Sequence, residues 1–239
     1  MARMTLDNLV TQLRAAYGTG LQSVVLYGSA AAGEHIPKRS DYNVLVIVTS
    51  LAPDTLRAAS AVSRAWSEAG NPAPLTLTAA EWRGSADIFP MEYADILARH
   101  RVLHGASPFD GIRVDPRDLR LHLEQEAMGK LLRLRQGVLA SGGDHARQIE
   151  LLGASLTAIM IIFRALVRLH GTEPPTDNTA LSEAAARLAE FDAAPFVRVV
   201  RHVRGEAKIG TQEAEAILAG YLRGVEQLVS HLDRYAAAP

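Results

Sequence analysis

The stretch "LYGSAAAGEHIPKRSDYNVLVIV", residues 26–48, decides the reading of the first half of this chain. A hydrophobic strand, "SVVLY", runs into Gly28-Ser29. A linker follows, and then a second strand, "YNVLVIV", rich in β-branched residues. A glycine at a strand end lets backbone approach a phosphate closely, and a helix start after it offers free N–H groups to an anion. Ser29 adds a hydroxyl donor, although small residues at that point also make an ordinary turn. Asp41 enters the second strand and Asn43 follows two residues on. Residues i and i+2 of a strand share a face, so the two are expected to project together. Two carboxylates so placed bridge Mg²⁺ ions, which take hard oxygen ligands. Asn43 offers a neutral carbonyl oxygen instead, and Ser40-Asp41 alone also fits a strand-entry turn. Lys38 and Arg39, just before Asp41, either screen a triphosphate or form a solvated loop.

Working outward, "TLDNLVTQLRAAYGTG" sets Leu6, Leu9, Val10, Leu13 and Tyr17 at helical spacing and stops at Gly18 and Gly20. "PDTLRAASAVSRAWSEAG" reads as a helix opened by Pro53 and Asp54 and closed by Gly70. "APLTLT" reads as a third strand and "AAEWRGSADIF" as a helical turn and loop. "PMEYADILARHRVLHG" reads as a short strand passing into a helix, or as all helix, closed by Gly105. Pro108, Gly111 and Pro116 punctuate a connector, and no strand pattern appears from Arg117 onward. "RDLRLHLEQEAMGKLLRLRQGVLA" places Leu119, Leu123, Ala127, Leu131, Leu134 and Val138 on one helical face. "ARQIELLGASLTAIMIIFRALVRLHG" is apolar nearly all round its middle, as a central bundle helix is. With three helical stretches after Pro174-Pro175, the second half holds about five helices. The predicted organisation is α+β: a domain mixing strands and helices over residues 1–110 and an all-α helical bundle over 115–239.

A net charge of −1 supplies no global field to recruit nucleic acid, which is not an expected partner. The absence of cysteine removes disulfides, thiolate zinc sites and cysteine nucleophiles, and it suits a reducing cytoplasm, the expected location. The start, "MARMTLDNLV", has no long apolar run of the kind that opens a secretory signal. The longest uncharged apolar stretch, residues 151–163, is shorter than the roughly 20 residues that span a bilayer. It reads as a buried core helix with no membrane partner; a face covered only by another subunit would mark a homodimer contact.

Taken whole, the opening string resembles the signature of the nucleotidyltransferase (DNA polymerase β-like) superfamily: a strand, Gly-Ser, a linker of about ten residues, and a strand bearing two acids one residue apart. Here 11 residues separate Ser29 from Asp41. The second half is similar in kind to the C-terminal bundles of aminoglycoside nucleotidyltransferases and to HEPN-type helical partners. The resemblance implies a nucleotidyltransferase-type mixed sheet with helices, followed by the bundle. It implies transfer of a nucleotidyl group from a Mg²⁺-bound nucleoside triphosphate to a hydroxyl of a small molecule or protein. Gly28 and Ser29 would hold phosphate, Lys38 and Arg39 would flank it, and Asp41 and Asn43 would stand at the catalytic position, with Asp41 on the metal. The chain departs from the family's pattern at Asn43, where the second acid belongs. It departs again on "PLTLT", where the third acid belongs and Thr76 and Thr78 stand. Glu92, or Asp95, substitutes as a metal ligand if "MEYAD" folds back beside the site. The alternative is a catalytically inactive nucleotide-binding protein, or a toxin–antitoxin-like interaction module working through its helices.

Three further groups stand out. His100 and His104 share a helical face if "HRVLH" is helical, and could then share a metal. Arg164 and His170 resemble the Arg-then-His motif of HEPN ribonucleases, with Ala165 where that motif has a polar residue. Glu124, Glu126 and Glu150 are candidates for the general base that the aminoglycoside enzymes carry on their helical domain; an exposed helical glutamate explains each equally well.

Overall fold

The two central strands carry continuous apolar runs, residues 24–26 and 44–48, because both faces of their sheet are covered. The computed structural model describes residues 4–28, 30–31 and 41–235, and the chain divides into two compact units, Met1–Val114 and Asp115–Pro239. The first contains α1 (Leu6–Tyr17), a 3-10 turn (Gly18–Gly20), β1 (Leu21–Tyr27), β2 (Asn43–Val48), α2 (Pro53–Glu68), β3 (Leu75–Thr78), α3 (Ala79–Gly84), α4 (Pro90–Ala98) and β4 (His100–Gly105). The sheet runs β3-β2-β1-β4; β1 is antiparallel to both neighbours, and β2 and β3 are parallel. On one face Val24, Leu26, Val44 and Val46 pack with Leu9 and Leu13 of α1 and Val62 and Trp66 of α2. On the other, Val25, Leu45 and Ile47 pack with Trp82 of α3 and with Tyr93 and Ile96 of α4. This period-2 division of continuous apolar runs is what a sheet buried on both faces requires.

Local chemistry fixes the elements. Thr5 caps α1 through its hydroxyl, which accepts the Asn8 N–H at 3.2 Å. Thr78 and Glu81 form a reciprocal capping box at the start of α3. Trp82 stacks on Tyr93 at a centroid distance of 4.1 Å and donates its indole N–H to the Pro108 carbonyl at 2.8 Å. The Tyr93 hydroxyl donates to the Trp82 carbonyl at 2.7 Å, so α3 and α4 are locked over the sheet.

"PMEYADILARHRVLHG" folds as neither expected alternative, a strand passing into a helix or all helix: helix α4 comes first and strand β4 second. Pro90 suits the first turn of a helix. The residues after Arg99 become a strand because β1 would otherwise keep an unpaired edge; Tyr27 pairs with His100 and Val24 with His104.

The second unit is all helix among its described residues: α5 (Pro116–Ser141), α6 (His145–Leu169), α7 (Asn178–Ala189), α8 (Ala194–Val203) and α9 (Thr211–Arg234). Asp115, Asp144 and Asp177 accept backbone N–H bonds at the starts of α5, α6 and α7. Helix α6 packs against the other four. Leu152, Leu156, Ile159, Ile162, Phe163 and Leu166 are buried, and from residue 151 to the helix end only Ala154, Thr157 and Ile161 are exposed. Among the described residues α6 is the one helix long and apolar enough to cross a bilayer. Its place at the centre of the bundle accounts for that apolarity.

Candidate functional site

The β1–β2 hairpin ends with Tyr27 directly opposite Asn43. Both are half-buried. Tyr27 packs on the face of Val25, Leu45 and Ile47, and alternation puts Asn43 on that same face. Gly28 follows with φ 78°, a left-handed conformation that favours glycine, and donates its N–H to the Arg99 carbonyl at 2.9 Å. A Cβ at Gly28 would lie 3.4 Å from Asn43 Nδ2, so the asparagine amide rests directly against the glycine backbone.

Asp41 is exposed and lies outside the strand, because β2 begins at Asn43. This corrects the expectation that both project from one strand. The entry is held instead by Asn71, a buried residue whose Oδ1 accepts the Tyr42 N–H at 3.2 Å. Ser29, Lys38 and Arg39 lie outside the described residues.

Helix α4 covers the Tyr27–Asn43 face. Glu92 and Asp95, three residues apart, share a side of it. The Tyr27 phenol is pushed up, first by burial and then by the Glu92 and Asp95 charges, so both carboxylates act on the hydroxyl. Thr76 and Thr78 pair with Val46 and Val48 and belong to the opposite face. The third acid is therefore absent from β3 on the Asn43 side, and the carboxylates that act on Tyr27 belong to α4. Among the described residues no three of His, Cys, Asp and Glu gather closely enough to hold a metal between them. The donors fit a cation that brings phosphate oxygens with it, rather than one caged by protein alone.

Sequence reasoning overlooked Tyr27 and Asn71. The signal for Tyr27 was available: it is two residues beyond Val25 in the same strand and adjoins the glycine. Asn71 carried no signal, since its role depends on a chain return.

The other candidates separate. His100 and His104 sit on strand β4 and are roughly 13 Å apart at 3.3 Å per residue, too far to share a metal. The His100 ring lies against Phe109, and its Nδ1 is bonded to the Ile96 carbonyl at 3.0 Å. Arg164 donates to Asn178 Oδ1 at 2.9 Å, whereas the His170 Nε2 meets His231 Nε2 at 3.1 Å, so the two serve different contacts within the bundle. Glu124 is paired with Arg120 at 2.8 Å and Glu126 with Lys130 at 3.3 Å, while Glu150 is exposed on α6.

Comparison of the sequence with protein-family models finds no match, nor does comparison with curated proteins. Among solved structures, the chain is similar to spectinomycin adenyltransferase AAD(9) from Enterococcus faecialis, solved with ATP and spectinomycin. The TM-score is 0.59 at 13% identity, over 95% of this chain and 98% of that one. The chain has the fold of a two-domain nucleotidyltransferase. The mixed sheet expected from the opening string and the helical C-terminal region expected from the second half are both present. The fold is thus shared at an identity where few individual side chains are.

Proposed function

We propose that the first unit binds a Mg²⁺–nucleoside triphosphate at the end of the β1–β2 hairpin and transfers its nucleotidyl group, slowly, to a hydroxyl of a small-molecule or protein acceptor. The observation that carries this is the convergence of Gly28, Asn43 and the α4 carboxylates on one end of one sheet face. The Gly28 backbone and Ser29 would take phosphate, with Lys38 and Arg39 beside it. Asp41, the Asn43 carbonyl oxygen and Glu92 would hold magnesium, which when bound offsets charge on the phosphates. The crystal of the structural neighbour with ATP and spectinomycin supports a nucleotide and a small acceptor as ligand classes.

The slowness follows from Asn43. An amide coordinates through oxygen but adds no charge to offset the dehydration of Mg²⁺, which gives up water reluctantly. Asn43→Asp restores an anion on the face toward α4 and should tighten Mg²⁺-ATP binding on the order of tenfold, about 1.4 kcal/mol. Titration calorimetry on wild type and Asn43→Asp measures this, with a radiolabelled-ATP transfer assay alongside, and Glu92→Gln should weaken both. A second reading, nucleotide binding without turnover, is favoured by the lack of a three-ligand group among the described residues. Binding without transfer in both proteins selects it. Equal and negligible nucleotide binding by both proteins refutes the nucleotide reading and leaves an interaction module.

A further inference from the structure

Helix α5 is apolar on two opposite faces. Leu119, Leu123, Ala127, Leu131 and Leu134 are buried in the bundle. Away from them stand Leu121, Met128, Leu132 and Leu139, exposed by 61%, 41%, 50% and 82%. At 3.6 residues per turn these four fall within about 40° of arc, a straight stripe running roughly 27 Å along the helix. Their exposed surface is on the order of 400 Å², the size at which apolar patches mark an interaction site rather than scattered surface residues.

The stripe is also a palindrome. Leu121 and Leu139 lie equally far on either side of the level of Lys130, and so do Met128 and Leu132. We propose that α5 docks antiparallel on α5 of a second copy of this chain, about a two-fold axis at that level. Leu121 then meets the partner's Leu139 and Met128 meets the partner's Leu132. Each contact occurs twice, as a self-complementary interface demands. Charge agrees with this register. On one edge of the stripe Glu124 falls beside the partner's Arg135, and on the other Gln125 falls beside the partner's Gln136. In its own chain Arg135 already meets Glu226 at 2.8 Å and Glu124 meets Arg120 at 2.8 Å, so the contact joins two existing ion pairs into one network. A parallel arrangement would instead set Glu124 beside the partner's Gln125 and Arg135 beside the partner's Gln136, so no opposite charges would meet. With its flanking residues the pairing buries on the order of 1,200 Å² in total, the lower limit for a specific interface.

Sedimentation of the full chain tests the pairing. Wild type at about 100 µM, a concentration that populates a weak dimer, should show twice the 25.8 kDa chain mass, and Leu132→Glu should show 25.8 kDa. Circular dichroism, and Tm measured at a dilution where both proteins are single chains, should be unchanged by Leu132→Glu, because that side chain is half exposed within the bundle. Orientation is read by cross-linking, made unambiguous by the absence of native cysteine. The double variant Leu121→Cys/Leu139→Cys should form disulfide-linked chain pairs under mild oxidation. Neither single variant should do so, since antiparallel pairing leaves each introduced thiol roughly 27 Å from its own counterpart. A wild type of single-chain mass overturns the proposal, as it would if the first unit of the same chain covered the stripe. A dimer indifferent to Leu132→Glu, or cross-linking by Leu139→Cys alone, overturns it equally.

Discussion

At Gly28 the backbone must turn left-handed at the very point where Asn43 closes against it. An alanine there costs about 1 kcal/mol for its positive φ alone. It would also place a methyl 3.4 Å from the Asn43 amide, ordinary contact that fills the space a phosphate would approach through. Gly28→Ala should therefore lower the urea midpoint modestly and weaken Mg²⁺-ATP binding by much more than that loss of stability explains; the two are read by denaturation and calorimetry on one preparation. The glycine and the asparagine were legible in the string of residues 26–48, because strand, glycine and polar pair occur there in order. Two things at this scale were not. Asp41 stands outside the strand, since its position depends on Asn71 receiving the Tyr42 N–H across a chain return. The α4 carboxylates reach Tyr27 only through the packing of Tyr93 and Ile96 on the sheet. Spacing along the chain encodes neither.

Elements with strong ends were readable, and those chosen by pairing were not. Pro53 with Asp54 opens α2, and "LTLT" forms β3. Helix α4 gives way to strand β4 because the free edge of β1, not local propensity, made residues 100–105 a strand. Helix packing gives a sharper test. In α9, a Cβ at Gly224 would meet the Phe196 ring at 2.5 Å and Phe191 at 3.3 Å. Alanine gains about 1 kcal/mol of helix propensity over glycine, while overpacking of this kind typically costs 1 to 3 kcal/mol. The Phe196 ring is fully buried and in contact with Phe163, Phe191 and Tyr221, so it has no free space to yield into. The packing cost is the larger, and Gly224→Ala should lower stability by about 1 kcal/mol, read as a shift in Tm. A rise in Tm would mean that Phe196 moves without cost. Gly171, open on all sides but at φ 72°, makes a poor control; Gly129, helical with nothing near its Cβ position, makes a good one and should gain stability as alanine.

For the molecule as a whole, the two units need not respond alike to pH, and the difference traces to one contact in the helical unit. His170 and His231 meet through their Nε2 atoms at 3.1 Å, so one nitrogen must carry a proton and the other must not. Tyr235 lies against both rings and donates its hydroxyl to the Leu169 carbonyl at 3.2 Å. Burial lowers the pKa of each histidine below its ordinary 6.5; the neighbouring His231 lowers His170 further and Arg234 lowers His231, against an opposing pull from Glu190. A pKa lower in the folded than in the unfolded chain means that unfolding takes up protons below that ordinary value. The stability these groups contribute is therefore fully present above 6.5 and is lost as pH falls through the depressed values. Doubly protonated, the two rings would bring like charges together where one hydrogen bond had been. The melting temperature of the helical unit should hold steady from neutral to mildly alkaline pH and fall as pH is lowered below 6.5, before ordinary carboxylates begin to titrate. His231→Gln keeps a hydrogen-bonding side chain but removes one titrating ring, so it should flatten that fall. Calorimetric scans of wild type and variant across the acid range decide the matter. Equal slopes in the two proteins would remove the histidine pair from the account and assign the acid sensitivity to other groups.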